Sequence, residues 1–221
     1  MLEVKGLTKM YGTMKAADHI SFSLPDQTVG ILLGPNGAGK STVIKSIAGL
    51  LKYEGGIWIQ GRESRSLEAK KIFGYVPEIP ALFSSLTVRE HLEYIRRAYR
   101  LNIEEKEMDQ LLERLDLLDK ADKMGDELSK GMMQKVSICC TLLIHPKVIL
   151  LVGLDPKAIR ELKEIILELK EQGVTVLIST HMLEMVEELW DVVCVMEKGK
   201  ILGTYKRDEV GEKHLDQLFF S

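Results

Sequence analysis

The sequence predicts an α/β fold with a mostly parallel sheet and helices on both of its faces. The apolar run VGILLGP, at 29–35, is typical of a strand buried on both faces. A run with helical spacing follows it, and the last third of the chain alternates strand-like and helix-like segments. Because such sheets bind ligands beyond the carboxyl ends of their strands, the functional residues are expected at that edge.

Length and composition indicate one globular domain of generous size. The chain has 221 residues, of which 45% are apolar and 29% charged, enough for a core and a solvated surface. A net charge of −3 gives no reason to expect nucleic acid as a partner. The N-terminal residues do not resemble a signal peptide, and no apolar run is long enough to span a bilayer. Cys139, Cys140 and the third cysteine are expected to be reduced thiols.

The first third of the chain is predicted to contain strands and one helix. The segments LEVKGL, ISFSL and GGIWIQG alternate in polarity or carry β-branched and aromatic residues, as strands do. The run STVIKSIAGLLK has helical spacing instead, which places Val43, Ile47 and Leu50 on one stripe. A helix is therefore expected directly after the VGILLGP strand.

The middle of the chain, at 82–145, is predicted to be a helical block. Thr87 and Glu90 have the spacing of a capping box, and apolar residues follow at helical spacing at Val88, Leu92, Ile95 and Tyr99. Two more amphipathic helices are predicted at MDQLLERLDLLDK and SKGMMQKVSICCTLLI. The predicted domain organisation is thus a core at 1–81 and 146–221 with an inserted helical subdomain at 82–145.

The last third returns to alternating elements. Strands are predicted at KVILLV and VTVLIST, and a hairpin at VVCVMEKGKIL. Helices are predicted at MLEMVEELW and at KAIRELKEIILELKEQG, the latter ended by Gly173.

The segment GPNGAGKST fits the pattern G-x-x-x-x-G-K-[ST] between a buried strand and an amphipathic helix, which is the context of a phosphate-binding loop. Glycines let backbone N–H groups turn toward phosphate oxygens, and the helix N-terminus favours negative charge. The lysine supplies a cation to the outer phosphates, and the serine hydroxyl is a ligand for Mg²⁺. The residues expected to bind the phosphates are Gly34, Pro35, Asn36, Gly37, Ala38, Gly39, Lys40, Ser41 and Thr42.

Five further segments, in their order along the chain, resemble the motifs of ABC-type ATPases. KMYG resembles the site of the adenine-stacking aromatic, GYVPEIPALFSSLTVREHL the Q-loop, LSKGMMQK the signature motif, GLDP the D-loop and STH the switch histidine. The resemblance covers nearly the whole chain and is closest to the single-domain ATP-binding subunits of bacterial exporters. It implies a RecA-like P-loop NTPase core with a mostly parallel sheet, an N-terminal antiparallel β subdomain and an inserted α-helical subdomain.

The resemblance also implies roles for single residues. Tyr11 would stack on adenine, unless it is an ordinary packed strand-end aromatic. Ser129 and Gly131 would reach the γ-phosphate held by a second subunit, and Ser129 could also cap the helix that follows. His181 would contact the γ-phosphate, unless it is merely structural. Glu78 stands where the family has the Q-loop glutamine and could bind Mg²⁺ or its water. The expected catalytic residues are His181, Lys40 and Glu78, and the expected metal ligands are Ser41 and Glu78.

The ligands and partners implied by the resemblance are ATP, Mg²⁺, a membrane permease and a second ATP-binding subunit, identical or homologous. The chain would then be cytoplasmic and would lie on the inner face of the cell membrane through the permease, with no nucleic-acid partner. A soluble ABC ATPase without a transport role is the other class considered. The transported substrate is set by the permease and is not visible in this sequence.

Besides Glu78 in the Q-loop, the sequence departs from the family in two motifs. Lys130 and Met132 replace a glycine and the glutamine of the signature. The larger departure follows the strand KVILLV, where the family has an Asp that holds Mg²⁺ through water and a Glu that polarises the attacking water. Here Leu151 is followed directly by VGLDP, and a block of the form Asp-Glu-Pro-x is absent. Asp155 is expected to cap the next helix rather than to replace the missing acids.

The missing block predicts weak hydrolysis with ATP binding largely retained. Loss of a positioned general base costs about 10²–10⁴-fold in rate. Three explanations are open: the printed sequence omits four residues of an active ATPase, the chain is a natural degenerate subunit of a heterodimer whose partner hydrolyses ATP, or it is a damaged or engineered variant.

Overall fold

The structure, a computed structural model, describes residues 1–154, 156–182 and 188–210. Its strands are β1 (Leu2–Tyr11), β2 (Met14–Leu24), β3 (Val29–Leu33), β4 (Glu54–Ile59), β5 (Arg62–Glu63), β6 (Phe73–Val76), β7 (Val148–Val152), β8 (Thr175–Thr180), β9 (Val192–Glu197) and β10 (Lys200–Lys206). Its α-helices are α1 (Lys40–Ile47), α2 (Leu67–Lys70), α3 (Val88–Ala98), α4 (Glu105–Arg114), α5 (Lys130–Leu142), α6 (Pro156–Glu171) and α7 (Arg207–Val210). Two 3-10 turns lie at Leu118–Lys120 and Gly125–Glu127.

The N-terminal sheet is antiparallel and has the strand order β2-β1-β4-β5. Leu2 of β1 pairs with Leu24 of β2 on one side and with Ile59 of β4 on the other. All three side chains are buried, because alternation along each strand turns its apolar residues to the same face. The antiparallel β subdomain implied by the resemblance is confirmed.

The second sheet is mostly parallel, with the strand order β10-β9-β3-β8-β7-β6. β3 pairs in parallel with β8 and β9, and β7 pairs in parallel with β8, whereas β9 and β10 form an antiparallel hairpin. Every residue of β3 and of β8 is buried, which explains why both strands are apolar without alternation. The predicted α/β class with a mostly parallel sheet is confirmed.

The chain divides into two compact units. The first comprises Met1–Phe73 and Lys147–Ser221, and the second comprises Gly74–Pro146 and contains α3, α4 and α5. The chain leaves the first unit and returns to it at neighbouring points. There, the Ile72 carbonyl accepts hydrogen bonds from the N–H groups of Lys147, at 2.7 Å, and Val148, at 3.3 Å.

Several helix boundaries follow from local sequence signals. Thr87 and Glu90 form the predicted capping box: the Thr87 Oγ1 accepts from the Glu90 N–H at 3.1 Å, and the Glu90 Oε2 accepts from the Thr87 N–H at 2.8 Å. α6 is followed by Gly173 at φ +86°, as predicted. The capping box and this terminating glycine are local signals, which is why sequence alone could place both.

Other predictions were wrong or lie outside the described residues. The stripe on α1 does not include Leu50, because the helix ends at Ile47, Gly49 follows at φ +74° and the Leu50 side chain is 61% exposed. α4 begins at Glu105, three residues before the predicted start, and β5, β6, α2 and α7 were not predicted. The helix predicted at MLEMVEELW falls mainly on 183–187, outside the described residues.

The cysteines agree with the expectation of reduced thiols. Cys139, Cys140 and Cys194 are free, and burial raises the pKa of the Cys194 thiol to about 11, so this thiol stays protonated. Among the described residues, no helix is both long and apolar enough to cross a membrane.

Candidate functional site

Three strands of the parallel sheet end side by side. Leu33, the last residue of β3, pairs with Thr180, the last residue of β8, and Val152, the last residue of β7, pairs with Ser179. Neighbouring strands lie about 4.8 Å apart, so the segments that follow β3, β8 and β7 leave the sheet at one edge within roughly 10 Å of each other. This is the edge at which the phosphate-binding segment was predicted to lie.

Two glycines of the phosphate-binding segment allow a backbone approach that no other residue permits. A Cβ atom at Gly34 would lie 2.1 Å from the carbonyl oxygen of Met196. Gly39 has φ +102°, and a Cβ there would lie 2.2 Å from the carbonyl oxygen of Ala16. Both contacts are with backbone, which cannot move aside as a flexible side chain can. Because neither glycine has a side chain, the loop backbone can pack directly against β9 and β2.

The first turn of α1 is suited to an anion. Gly39 is its N-cap and has no side chain to accept from the first N–H groups, and no acidic residue lies in that turn. The unsatisfied N–H groups of a helix N-terminus carry about half a positive charge. Ser41 is exposed and Thr42 is partly exposed at the same turn, while Val43 faces the core. The turn can therefore present N–H and hydroxyl groups to phosphate oxygens.

Lys40 lies over the loop that precedes it. Its Nζ donates hydrogen bonds to the carbonyl oxygens of Gly34, at 2.5 Å, and Pro35, at 2.9 Å. Partial burial lowers the pKa of the Lys40 ammonium from its ordinary value, because the charged form loses hydration. Pro35, Asn36 and Gly37 are exposed, so the outer side of the loop is open to solvent.

Tyr11 lies at the end of the β1–β2 hairpin. It pairs with Met14 across the turn, its side chain is 46% exposed, and the Lys9 ammonium lies 5.1 Å from its ring centroid. The alternative of a packed strand-end aromatic does not fit this exposure. The returning strand β2 passes through Ala16, whose carbonyl contacts Gly39, so the hairpin that bears Tyr11 adjoins the phosphate-binding loop.

His181 directly follows β8, the strand between β3 and β7, and it is exposed. Because Thr180 pairs with Leu33, His181 and Gly34 leave the sheet on adjacent strands. The structure thus brings His181 to the same edge as the phosphate-binding loop. The preceding Thr180 hydroxyl accepts from the Met182 N–H at 3.1 Å, which orders the turn after the strand.

The connection that follows β7 is short. Between Leu151 and the buried Leu154 the chain carries only Val152 and Gly153, and Gly153 has φ +65°. A glycine is well suited to such a connection because φ > 0 costs it little. No carboxylate lies in this described stretch, and Asp155, weighed as a cap or substitute ligand, lies outside the described residues.

The signature residues lie in the second unit. Ser129 is the N-cap of α5, and its Oγ accepts from the Met132 N–H at 3.3 Å, so the capping role is confirmed. Ser129, Lys130 and Gly131 are all exposed, and nothing lies within 4 Å of a Cβ built on Gly131. This N-terminus is therefore accessible to another molecule.

Glu78 is also in the second unit and is exposed. Burial and, to a smaller extent, the Glu78 charge raise the pKa of the Tyr75 hydroxyl. Among the described residues, no group of three or more His, Cys, Asp or Glu side chains could hold a metal ion. The predicted ligands Ser41 and Glu78 belong to different units.

Sequence reasoning missed the residues from other parts of the chain that contact the phosphate-binding loop. Ala16 and Met196 contact Gly39 and Gly34, and Gly199 donates its N–H to the Ala38 carbonyl at 2.9 Å. These residues are far from the loop in sequence and carry no chemical motif. The only local signal was the turn EKGK at 197–200, which was predicted as a hairpin and not as part of the site.

The buried strand, the glycine loop that a lysine covers and the helix N-terminus together define a P-loop nucleotide-binding protein. The ABC transporter family matches residues 17–151. The match ends at Leu151, directly before the point where the acid pair of the family is missing. The ABC-type transporter ATP-binding protein EcsA of Bacillus subtilis is 38% identical over 99% of this chain and 95% of its own length.

Two solved structures are similar over nearly the whole chain. One, an ATP-binding subunit of an ABC transporter, is 33% identical, covers 99% of this chain and 98% of its own, and gives a TM-score of 0.89. The other, the dimeric ATP-binding cassette MJ0796 in a post-hydrolysis state with ADP and Pi, is 25% identical, covers 93% and 98%, and gives a TM-score of 0.82. The chain belongs to the ABC transporter family, as an ATP-binding subunit of the ABC ATPase class.

Proposed function

We propose that this chain binds MgATP at Gly34–Thr42 and that ATP-driven dimerisation with a second ATP-binding subunit moves a membrane permease. The observation that carries the proposal is the loop geometry: Gly34 and Gly39 lie where no Cβ fits, directly before a helix N-terminus with no acidic residue in its first turn. Such a loop is suited to a chain of phosphates, because backbone N–H groups and a helix N-terminus both favour anions.

The residues that would recognise adenine and the phosphates lie on different strands of the first unit. Tyr11 offers an exposed aromatic face on the β1–β2 hairpin, and stacking of this kind is worth about 1 kcal/mol. Lys40 would exchange its two carbonyl partners for the outer phosphates, to which its charge is better matched. His181, on the strand next to β3, would contact the terminal phosphate from the side.

The residues present fit a magnesium ion that arrives with the nucleotide. Mg²⁺ prefers oxygen ligands and is usually held by phosphates, waters and one or two protein groups. Ser41 provides an exposed hydroxyl in the first turn of α1, and Glu78 provides a carboxylate in the second unit. When bound, the ion would neutralise phosphate charge. Ser41 would then hold it next to the loop.

Dimerisation is assigned to the exposed start of α5. Ser129 and Gly131 would contact the γ-phosphate held by the other subunit, because a helix N-terminus with an open glycine accepts an anion closely. Lys130, exposed between them, adds a positive charge where the family has glycine. We place the assembled pair at the inner face of the membrane, held there by the permease.

Hydrolysis is the part of the function on which this chain departs from its class. Val152, the last residue of β7, and Gly153 stand where the family carries its acid pair. The alignment to EcsA runs over 235 positions, more than the 221 residues of this chain, so that relative has residues that the chain lacks. We propose that the chain as printed binds ATP with ordinary affinity and turns it over slowly.

The test is ATP binding and turnover on the purified chain. Titration calorimetry with MgATP should give saturable binding, and Lys40→Ala should weaken it by about 10–100-fold, the effect of losing a charge-assisted hydrogen bond. Size-exclusion chromatography with light scattering should show an ATP-dependent dimer that Ser129→Arg abolishes. Failure of the wild-type chain to bind ATP would refute the proposal.

The intact mass of the protein expressed from its native gene separates the explanations for the missing block. A mass of 25.0 kDa means that the short connection is genuine. A mass larger by an Asp, a Glu, a Pro and a fourth residue means that the protein carries the acid pair, and vigorous turnover is then expected.

A further inference from the structure

A single glycine joins the hairpin that bears Tyr11 to the phosphate-binding loop. Gly199, in the turn between β9 and β10, accepts a hydrogen bond on its carbonyl from the Asp18 N–H at 2.7 Å. It donates its own N–H to the Ala38 carbonyl at 2.9 Å. Asp18 lies on β2 and Ala38 lies in the loop, so the two backbone bonds form a bridge between the β1–β2 hairpin and the phosphate-binding loop.

Only glycine fits at the centre of this bridge. Gly199 has φ +80°, a conformation that strains any other residue. A Cβ there would also lie 3.0 Å from the carbonyl oxygen of Lys15 and 3.3 Å from that of Ala16. A substitution at 199 is therefore strained and must change the spacing between the turn and β2 by a few tenths of an ångström.

Charged side chains reinforce the bridge. The Asp18 carboxylate accepts from the Lys15 Nζ at 2.9 Å and lies 2.8 Å from the His19 Nδ1. The Lys200 Nζ, on the residue after Gly199, lies 3.7 Å from the same carboxylate. The link from β2 to the β9–β10 turn is thus made by backbone and by side chains together.

We propose that Gly199 is a positioning residue that couples recognition of the adenine ring to recognition of the phosphates. The inference rests on the proposed function, because it concerns the same nucleotide site. With the bridge intact, the phosphate-binding loop and the hairpin bearing Tyr11 are held in one arrangement, and a nucleotide gains from both contacts. Without it, the two contacts become independent and adenine adds little to the affinity.

The experiment compares ATP with inorganic tripolyphosphate, which lacks the adenosine. Dissociation constants are measured by calorimetry for the wild type, Gly199→Ala and Gly173→Ala. The last is the matched control: its φ is +86° and nothing lies within 4 Å of its Cβ, so it has the same backbone strain without the bridge. A second variant, Asp18→Ala, removes the charged link and leaves the glycine in place, in case Gly199→Ala does not fold.

The expected result is a selective loss of ATP affinity. Gly199→Ala should weaken ATP about fivefold to tenfold and tripolyphosphate less than twofold, and Gly173→Ala should change neither. Asp18→Ala should weaken ATP in the same sense by a smaller factor. In the wild type, Tyr11→Ala should weaken ATP binding about fivefold to tenfold through loss of a stacking contact. In the Gly199→Ala background, the same substitution should weaken ATP binding less than twofold.

Two results would overturn the inference alone. One is an equal loss for ATP and tripolyphosphate in the Gly199 and Asp18 variants, which a general loss of structure would produce. The other is an undiminished cost of Tyr11→Ala when Gly199 is replaced. A wild-type chain that binds no ATP would instead overturn the proposed function, and this inference with it.

Discussion

Restoring an acid pair at the end of β7 should restore rapid ATP hydrolysis. The perturbation is an insertion of Asp-Glu-Pro-Thr between Leu151 and Val152, where the chain passes from a buried strand to Gly153. β7 is separated from β3 by β8 alone, so the insertion site lies about 10 Å from the strand that leads into the phosphate-binding loop. That distance leaves room for a carboxylate, a water and the terminal phosphate.

The size of the effect follows from the role of a general base. The absence of a general base lowers the rate about 10²–10⁴-fold, which corresponds to an increase of about 2.7–5.4 kcal/mol in activation free energy. A typical enzyme turns over about ten times per second. The chain as printed should therefore hydrolyse ATP at about 0.1 per second or slower, and the insertion should raise the rate at least about 100-fold.

The assay is release of inorganic phosphate at saturating MgATP. The matched control is an insertion of Asn-Gln-Pro-Thr, which has the same length and nearly the same shape without the charges. Lys40→Ala in the acid-insertion background should lose the regained activity. Affinity for ATP should change less than about threefold between the two insertions, because the phosphate-binding loop and Tyr11 are untouched.

Two results would refute the reasoning. Equal rates for the acid and amide insertions would show that the acid pair does not limit turnover. A rate of several per second in the chain without any insertion, abolished by Lys40→Ala, would show that another group already serves as the base.

Three further predictions concern other parts of the chain. Gly34→Ala should abolish ATP binding measured by calorimetry with far-UV circular dichroism retained, because its Cβ would lie 2.1 Å from the Met196 carbonyl. Thr87→Ala should cost about 1 kcal/mol and lower the melting temperature by about 2–4 °C through loss of the capping box. The His19 and Lys15 hydrogen bonds lower the pKa of Asp18 to about 2. The folded chain thus binds that proton more weakly than the unfolded chain, so the stabilisation by Asp18 should persist above pH 4 and disappear toward pH 2, and denaturant melts of Asp18→Asn should show no such component.

Local patterns predicted the parts of the molecule that local chemistry determines. The buried strand β3, the glycine loop and the helix after it were predictable, because continuous burial, backbone access to phosphate and helical spacing each restrict the residue types. The capping of α3 by Thr87 was predictable for the same reason. His181 was singled out by the resemblance of STH to a switch histidine, and the structure brings it to the same sheet edge as the loop.

Contacts between distant segments could not be predicted in this way. Leu50 had the spacing of the α1 stripe, yet the helix ends before it. Gly49 has φ > 0, a conformation that terminates a helix whatever the spacing of the apolar residue that follows. The contacts of Ala16, Met196 and Gly199 with the loop depend on the sheet order and on the β1–β2 hairpin. No periodicity in the sequence records that order.

The adjacent entry and exit of the second unit have a consequence for folding. Were Gly74–Pro146 unstructured, bringing Ile72 and Lys147 together would cost a length-dependent entropy of about 4 kcal/mol. A folded insert with neighbouring ends removes most of that cost before β7 pairs with β8. The folded insert then keeps Ile72 and Lys147 close together. A mutation that destabilises α3 should therefore slow assembly of the parallel sheet, although it changes no residue of that sheet.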